Sequence, residues 1–190
     1  MMEGVGRRLN TPSGFLLNIG NHSLNGREQN VLFRNNGDET FTEVGWVNAA
    51  DRIEDGRGMA VLDTNRDGRL DIALRNFYQP AGLLQNRRGS GHWIVFELEG
   101  TRSNRDAIGA RVRIRTGAQW QTRVVTGGSG YLSGSSLRQH FGIGSATRVD
   151  EVAIDWPSGE RSELRDLEAN RLHRISEGST APLTAKRSEN

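Results

Sequence analysis

The 190-residue sequence contains no cysteine. Disulfide scaffolds, cysteine-ligated zinc, iron–sulfur clusters and thiol catalysis are therefore excluded. Lysine is almost missing: Lys186 is the single one, and every other basic residue is an arginine. No apolar run reaches the roughly 18 residues of a membrane-crossing helix, so no transmembrane segment is expected. Met1 to Asn10 carries Arg7 and Arg8 with no apolar region behind them, so no signal peptide is expected on this chain. Excess charge is also lacking, with 25 basic against 23 acidic residues. Residues 1–91 balance at eleven arginines and eleven acids. Without a dense positive field, no nucleic-acid partner is expected.

What the chain has is glycine, 24 residues spread without a G-X-Y period, beside a hydrophobic set of 34%. Taken together they fall in the ordinary globular range, and glycine alone is well above the usual ~7%. Many tight turns between short apolar runs imply a mostly β protein. Period-2 alternation appears at Ile94, Phe96 and Leu98, at Ala110, Val112 and Ile114, and at Val152, Ile154 and Trp156. Turns are expected at Thr116-Gly117, Gly127-Gly128-Ser129-Gly130 and Pro157-Ser158-Gly159. Helical periodicity is scarce, limited to short turns such as Glu163 to Ala169. Val31-Leu32-Phe33-Arg34-Asn35 is echoed 51 residues later by Gly82-Leu83-Leu84-Gln85-Asn86, and more faintly by Phe15 to Asn18. That period suits a propeller blade with its loops. The expected organisation is an N-terminal segment 1–12, blades 13–88, a linker 89–91, a β domain 92–176 and a disordered tail 177–190.

The sharpest chemical signal is Asp63-Thr64-Asn65-Arg66-Asp67-Gly68-Arg69-Leu70-Asp71. Oxygen ligands stand at relative positions 1, 3, 5 and 9, with glycine at 6 for the sharp turn. Ca²⁺ is a hard cation that takes about six to eight oxygens. Asp63, Asn65, Asp67 and Asp71 with the backbone carbonyl of Arg69 form the expected ligand set. An EF-hand needs Glu at position 12, and that position is Leu74. The flanks, Met59 to Leu62 and Leu70 to Leu74, read as strands, so the site is strand–loop–strand. The competing reading is a turn held by its own side-chain hydrogen bonds, against which counts the mutual repulsion of three carboxylates within nine residues.

Leu32-Phe33-Arg34-Asn35-Asn36-Gly37-Asp38-Glu39-Thr40-Phe41, Asp55-Gly56-Arg57-Gly58 and the Asp63–Asp71 loop resemble the FG-GAP repeats of integrin-like β-propellers. Glu99 to Val112, Gly127 to Ser133, His140-Phe141-Gly142-Ile143-Gly144 and Val152 to Gly159 resemble the ASPIC and UnbV domain. The two in this order resemble the cartilage-acidic-protein-like family. The resemblance implies calcium-stabilised blades followed by a β-sandwich or barrel-like domain, binding rather than catalysis, and an extracytoplasmic setting: periplasm, cell surface or secreted. Residues 13–88 supply fewer than two blades where a family propeller has about seven. Incomplete propeller-like blades leave faces and strand edges uncovered, and a protein partner or larger extracytoplasmic assembly is expected to cover them.

Other candidates read as structural. Gly127-Gly128-Ser129-Gly130, with His140 and Asp150 or Asp155, invites a nucleophile reading, but Tyr131 takes the final glycine position of the elbow and no helix follows. His22, His92, His140 and His173 lack ligand spacing. Trp93, Trp120 and Trp156 read as core, with a glycan platform as the alternative. Arg111, Arg113 and Arg115 share a strand face, with Arg123 expected opposite, and could meet an anionic surface. The function expected is a non-catalytic, calcium-stabilised binding or assembly module, a protein–protein interaction subunit of a larger complex. The alternatives are a glycan-binding module and an accessory protein of a biosynthetic enzyme system.

Overall fold

The computed structural model describes residues 28–182 and the backbone of two short strands before them, β1 (Leu9–Thr11) and β2 (Gly14–Leu16). The side chains of Phe15 to Asn18, His22, and residues 183–190 of the expected tail lie outside the described residues. Every regular element described is a strand. The chain falls into two compact units. One holds the residues up to Met59 with Ala73–Leu84; the other holds Ala60–Ile72 with the residues from Gln85 onward.

In the first unit β3 (Phe33–Asn35) pairs antiparallel with β4 (Phe41–Glu43). Asn36 to Thr40 make the hairpin turn between them. Gly37 takes φ +83°, and its N–H donates to Asn35 Oδ1 at 2.8 Å. Strands β5 (Gly56–Leu62), β6 (Asp71–Asn76) and β7 (Gly82–Leu84) follow as a three-stranded sheet in that order, of which Ala60–Leu62 and Asp71–Ile72 are counted with the second unit. Both described copies of the repeat are thus strands, β3 and β7.

The second unit is built on seven strands: β8 (His92–Glu99), β9 (Arg111–Thr116), β10 (Gln119–Val124), β11 (Gln139–Gly144), β12 (Arg148–Asp155), β13 (Arg161–Glu168) and β14 (Arg171–Ser176). They form a four-stranded sheet, β10-β9-β12-β13, and a three-stranded one, β11-β8-β14. Alternation delivers one side of each sheet to a shared core. Val112, Ile114, Val152 and Ile154 come from the first, and Ile94, Phe96, Phe141 and Ile175 from the second, all fully buried. Burying each such side chain stabilises the fold by about 1.5–3 kcal/mol. The result is a two-layer β-sandwich, and neither sheet closes. Trp156 is buried here, its Nε1–H donating to Ser162 Oγ at 2.9 Å.

One local expectation is overturned. Glu163 to Ala169 is not a helical turn; residues 161–168 are β13, paired along β12 from Asp155↔Arg161 to Arg148↔Glu168. Ser162, Leu164 and Leu167 are buried while their neighbours are exposed. The hairpin at Pro157–Gly159 hands the chain back antiparallel, and the tertiary ladder outweighs the weak helical tendency.

Strand β14 lies parallel to β8, with Arg171 opposite Ile94 and Ser176 opposite Glu99. Two strands running the same way leave the sheet side by side. The chain emerging after Ser176 therefore meets the chain emerging after Glu99.

Candidate functional site: the acidic loop and its seat

The loop Asp63–Asp71 joins β5 to β6, as the sequence implied, and belongs to the second unit. Its side chains are turned on its own backbone. Asp63 Oδ1 accepts from Asp67 N–H at 3.1 Å, and Asp63 Oδ2 from Gly68 N–H at 2.8 Å. Asn65 Oδ1 accepts from Asp67 N–H at 3.2 Å, while its amide donates to Asp67 Oδ2 at 2.8 Å. Asp67 Oδ1 accepts from Arg69 N–H at 2.9 Å, and the Arg69 guanidinium pairs with Oδ2. Asp71 is buried. It accepts from the N–H of Thr64 at 3.0 Å, from the Thr64 hydroxyl, and from Asn86 N–H at 2.8 Å.

Electrostatics follow from these partners. Burial works against the charge of Asp67, but the Arg69 and Asn65 hydrogen bonds and the Arg69 charge outweigh it, so its pKa lies below the ordinary value; the charge of Asp71 pushes the other way. Asp71 is also lowered, first by the Thr64 hydroxyl, against burial. Among the described residues, no group of three or more His, Asp or Glu side chains is placed to hold a metal ion. The loop offers oxygen donors, which suits a hard cation, in a turn already held by its own hydrogen bonds.

The loop is seated on the sandwich. Gly68, at φ +83°, is buried, and a Cβ there would lie 1.7 Å from Trp93 Nε1. Glycine is required twice over, by its dihedral and by the indole against it. The Gly68 carbonyl is 2.7 Å from His140 Nε2, and the His140 ring stacks on Trp93 at 6.0 Å. Val61 N–H donates to Ser135 Oγ at 3.2 Å, and Arg69 Nε to the Asn86 carbonyl at 3.0 Å. No sequence signal joined Trp93 and His140 to this loop, since the contacts span tens of residues.

The Gly100–Ser103 stretch has a partner that no local pattern announces. Glu177, the first residue of the expected tail, is buried. Its Oε2 accepts from the consecutive N–H groups of Thr101, Arg102 and Ser103 at 2.8, 2.7 and 2.7 Å. Its Oε1 accepts from the Ser103 hydroxyl at 2.8 Å and from the Ser158 hydroxyl. Gly100 stands where a Cβ would lie 2.2 Å from the Asn104 carbonyl oxygen, so the loop closes tightly enough to aim its N–H groups together. Asn104 braces it through two 2.8 Å bonds with the Ile108 backbone.

The remaining candidates resolve one by one. His92 Nδ1 is 2.8 Å from Asn170 Nδ2, and His173 Nε2 is 2.9 Å from the Glu168 carbonyl. Ser129 and His140 engage other groups: the Ser129 hydroxyl is 3.4 Å from that of Ser135, His140 Nε2 is 2.7 Å from the Gly68 carbonyl, and Asp150 accepts from Gly117 N–H. The arginine ridge is partly neutralised across the sheet, with Arg113 to Asp155 at 3.2 Å and Arg115 to Glu151 at 3.3 Å. Two placements differ from expectation. Trp120 is not core: half exposed, it faces Arg115 across the ladder and lies under its guanidinium at 5.9 Å. Arg123 pairs with Val112, so it lies on the core-facing side and stacks over Phe141 at 5.4 Å instead of joining the ridge. The side-chain period of two decides both.

Comparison with known proteins agrees with the motif reading. Residues 100–182 match the ASPIC and UnbV family, and residues 18–74 match the FG-GAP-like repeat. The chain is 32% identical over 137 residues to cartilage acidic protein 1 of Mus musculus and 31% over 136 residues to that of Homo sapiens. These alignments cover 68% of this chain but only 21% and 20% of the relatives, so the chain spans about a fifth of the curated proteins it matches. The Xenopus tropicalis protein is 33% identical over 124 residues, covering 60% of this chain and 18% of its own. Residues 18–74 are thus similar to the FG-GAP-like repeat, residues 100–182 to the ASPIC and UnbV family, and the chain over part of its length to the cartilage acidic proteins.

Proposed function

We propose that the chain is a non-catalytic, calcium-stabilised extracytoplasmic binding or assembly module, acting as a protein–protein interaction subunit of a larger complex. The observation that carries this reading is the apolar surface of the first unit. Val31, Phe33, Phe41, Trp46, Ile53 and Tyr78 are each more than half exposed. Contiguous apolar surface is rare on monomeric proteins, and six large apolar side chains exposed in one unit, four of them aromatic, support an interface there. The short β3–β4 ribbon carrying part of it is not stable alone. The family matches and the relatives support an extracellular setting and binding rather than catalysis. No helix among the described residues is long and apolar enough to cross a membrane.

Light scattering after size exclusion tests the assembly. The isolated chain should self-associate or bind a hydrophobic dye, and Phe33→Ser with Trp46→Ser should reduce both. A monomer at every concentration, dark to the dye, would overturn the reading.

Calcium is proposed to sit in the Asp63–Asp71 loop, held by Asp63, Asn65, Asp67, Asp71 and the Arg69 carbonyl. Support comes from the oxygen-only donor set and from the repulsion Asp71 exerts on Asp67. The Arg69 guanidinium would have to yield its place on Asp67 to the ion. At a hundredfold excess over its dissociation constant, calcium should raise stability by about 2.7 kcal/mol, and Asp67→Ala should abolish most of that gain. Metal-free protein whose melting temperature ignores calcium would show the loop to be a self-sufficient hydrogen-bonded turn.

A further inference from the structure

The outer face of the three-stranded sheet β11-β8-β14 does not look onto open water throughout. Val95 stands opposite His140 on one side and opposite Leu172 on the other, so the three form a row across the sheet. Residues of the β5–β6 connection pass over this row. Between them is a cleft of about 720 Å³, within the second unit, lined from above by Val61, Leu62 and Leu70 and from below by Trp93, Val95 and Leu172. That volume lies in the ~300–1,000 Å³ range of small-ligand sites, and the lining is mixed, with apolar walls beside more numerous polar side chains.

The charged groups are mostly of one sign. Arg66, Arg123, Arg138 and Arg174 all line the cleft, with the hydroxyls of Ser129, Ser135 and Ser136. Arg138 and Arg174 must share one carboxylate, Glu97, at 2.7 and 2.9 Å. Arg66 and Arg123 make no ion pair among the described residues, and Arg123 is held in place by stacking on Phe141. The one acid in the lining, Asp63, has both oxygens on backbone N–H groups. A cleft with an apolar stretch and guanidinium groups in excess suits a ligand with an apolar body and an anionic head, because guanidinium matches carboxylate, sulfonate or phosphate oxygens in a bidentate fork.

We propose that this cleft binds an amphipathic organic anion, its body between Val95, Leu172 and Leu62 and its head on Arg123 and Arg66. The site involves none of the exposed residues 31–59 and stands whether or not the chain assembles. Such a ligand could be an acyl carboxylate or an aryl sulfonate, and two probes separate these sources.

The test is a titration of the full chain, followed by two-dimensional amide and indole NMR, with octanoate, with naphthalene-2-sulfonate, and with uncharged octyl glucoside below its micelle concentration. Saturable shifts at Trp93, Val95, Arg123, His140 and Leu172 with at least one anion are expected, the tighter binder naming the source. Arg123→Gln and Arg66→Gln should each weaken that binding about tenfold, and their spectra elsewhere should remain those of the folded chain. The proposal is overturned if neither anion gives saturable shifts there. It also fails if octyl glucoside binds as well as the anions, or if both arginine variants bind as tightly as the parent.

Discussion

Glu177→Ala is expected to cost about 3 kcal/mol, because a buried or half-buried donor left without its acceptor costs about 1–3 kcal/mol and bonds to a charged group are the stronger ones. For a chain of this size that corresponds to a fall in melting temperature of roughly 10 °C. The carboxylate gathers three successive backbone N–H groups and two hydroxyls, so one side chain ties the end of β14 to the loop after β8. Burial raises its pKa, but the hydrogen bonds from Ser103, Ser158 and Arg102 outweigh this and hold the carboxyl far below the usual glutamate range. The folded state binds fewer protons at this site than the unfolded state, so the stabilisation is complete above the unfolded pKa of about 4.3 and is lost as pH falls below it toward the folded value. Glu177→Gln keeps the shape without the charge and should flatten the acid side of the stability curve. Urea midpoints for parent and Gln variant at about pH 7 and about pH 3.5 provide the check. Parallel losses in the two proteins, or an Ala variant as stable as the parent, would show that the cradle contributes nothing.

Gly68→Ala should be nearly as damaging, by about 3 kcal/mol, through a different route. The left-handed φ alone costs an alanine roughly 1–2 kcal/mol. The larger part is steric: a methyl 1.7 Å from Trp93 Nε1 cannot be accommodated unless the loop lifts or the indole swings out. Either movement breaks the Gly68–His140 contact and the stacking of His140 on Trp93. The emission of Trp93 should shift to the red as its ring meets water. In a Trp93→Ala background the same glycine change should cost only its dihedral strain, a coupling that a double-mutant cycle reads directly. Additive effects and unchanged emission would mean that the loop is not seated on the indole.

Both positions mark the boundary between what was legible in the chain and what was not. The strands β8, β9 and β12 were legible because alternation with a period of two is a local property, and each apolar set needs only one buried face to be read. The acidic loop was equally local: five donors within nine residues, a glycine at the turn, and β-forming flanks. The motif resemblance was readable for the same reason, as fixed spacings along one stretch of chain. The strand at Glu163 to Ala169 was misread because a weak local helical tendency says nothing of the ladder with β12 that overrules it.

By itself the sequence determined that this protein is mostly β, free of thiol chemistry, in two segments of recognisable kind, with one oxygen-rich loop between strands. Only the tertiary structure decided that Trp93 and His140 form the seat of that loop. It alone placed Glu177 in the cradle of Thr101–Ser103, and turned Arg123 onto Phe141 while leaving Trp120 beside Arg115. Register and a parallel strand pair set these relations, and both are properties of the ladder, bringing together residues up to about eighty positions apart. A periodic pattern states which face of a strand is buried, but the partner that covers it is chosen by hydrogen bonds the pattern does not contain.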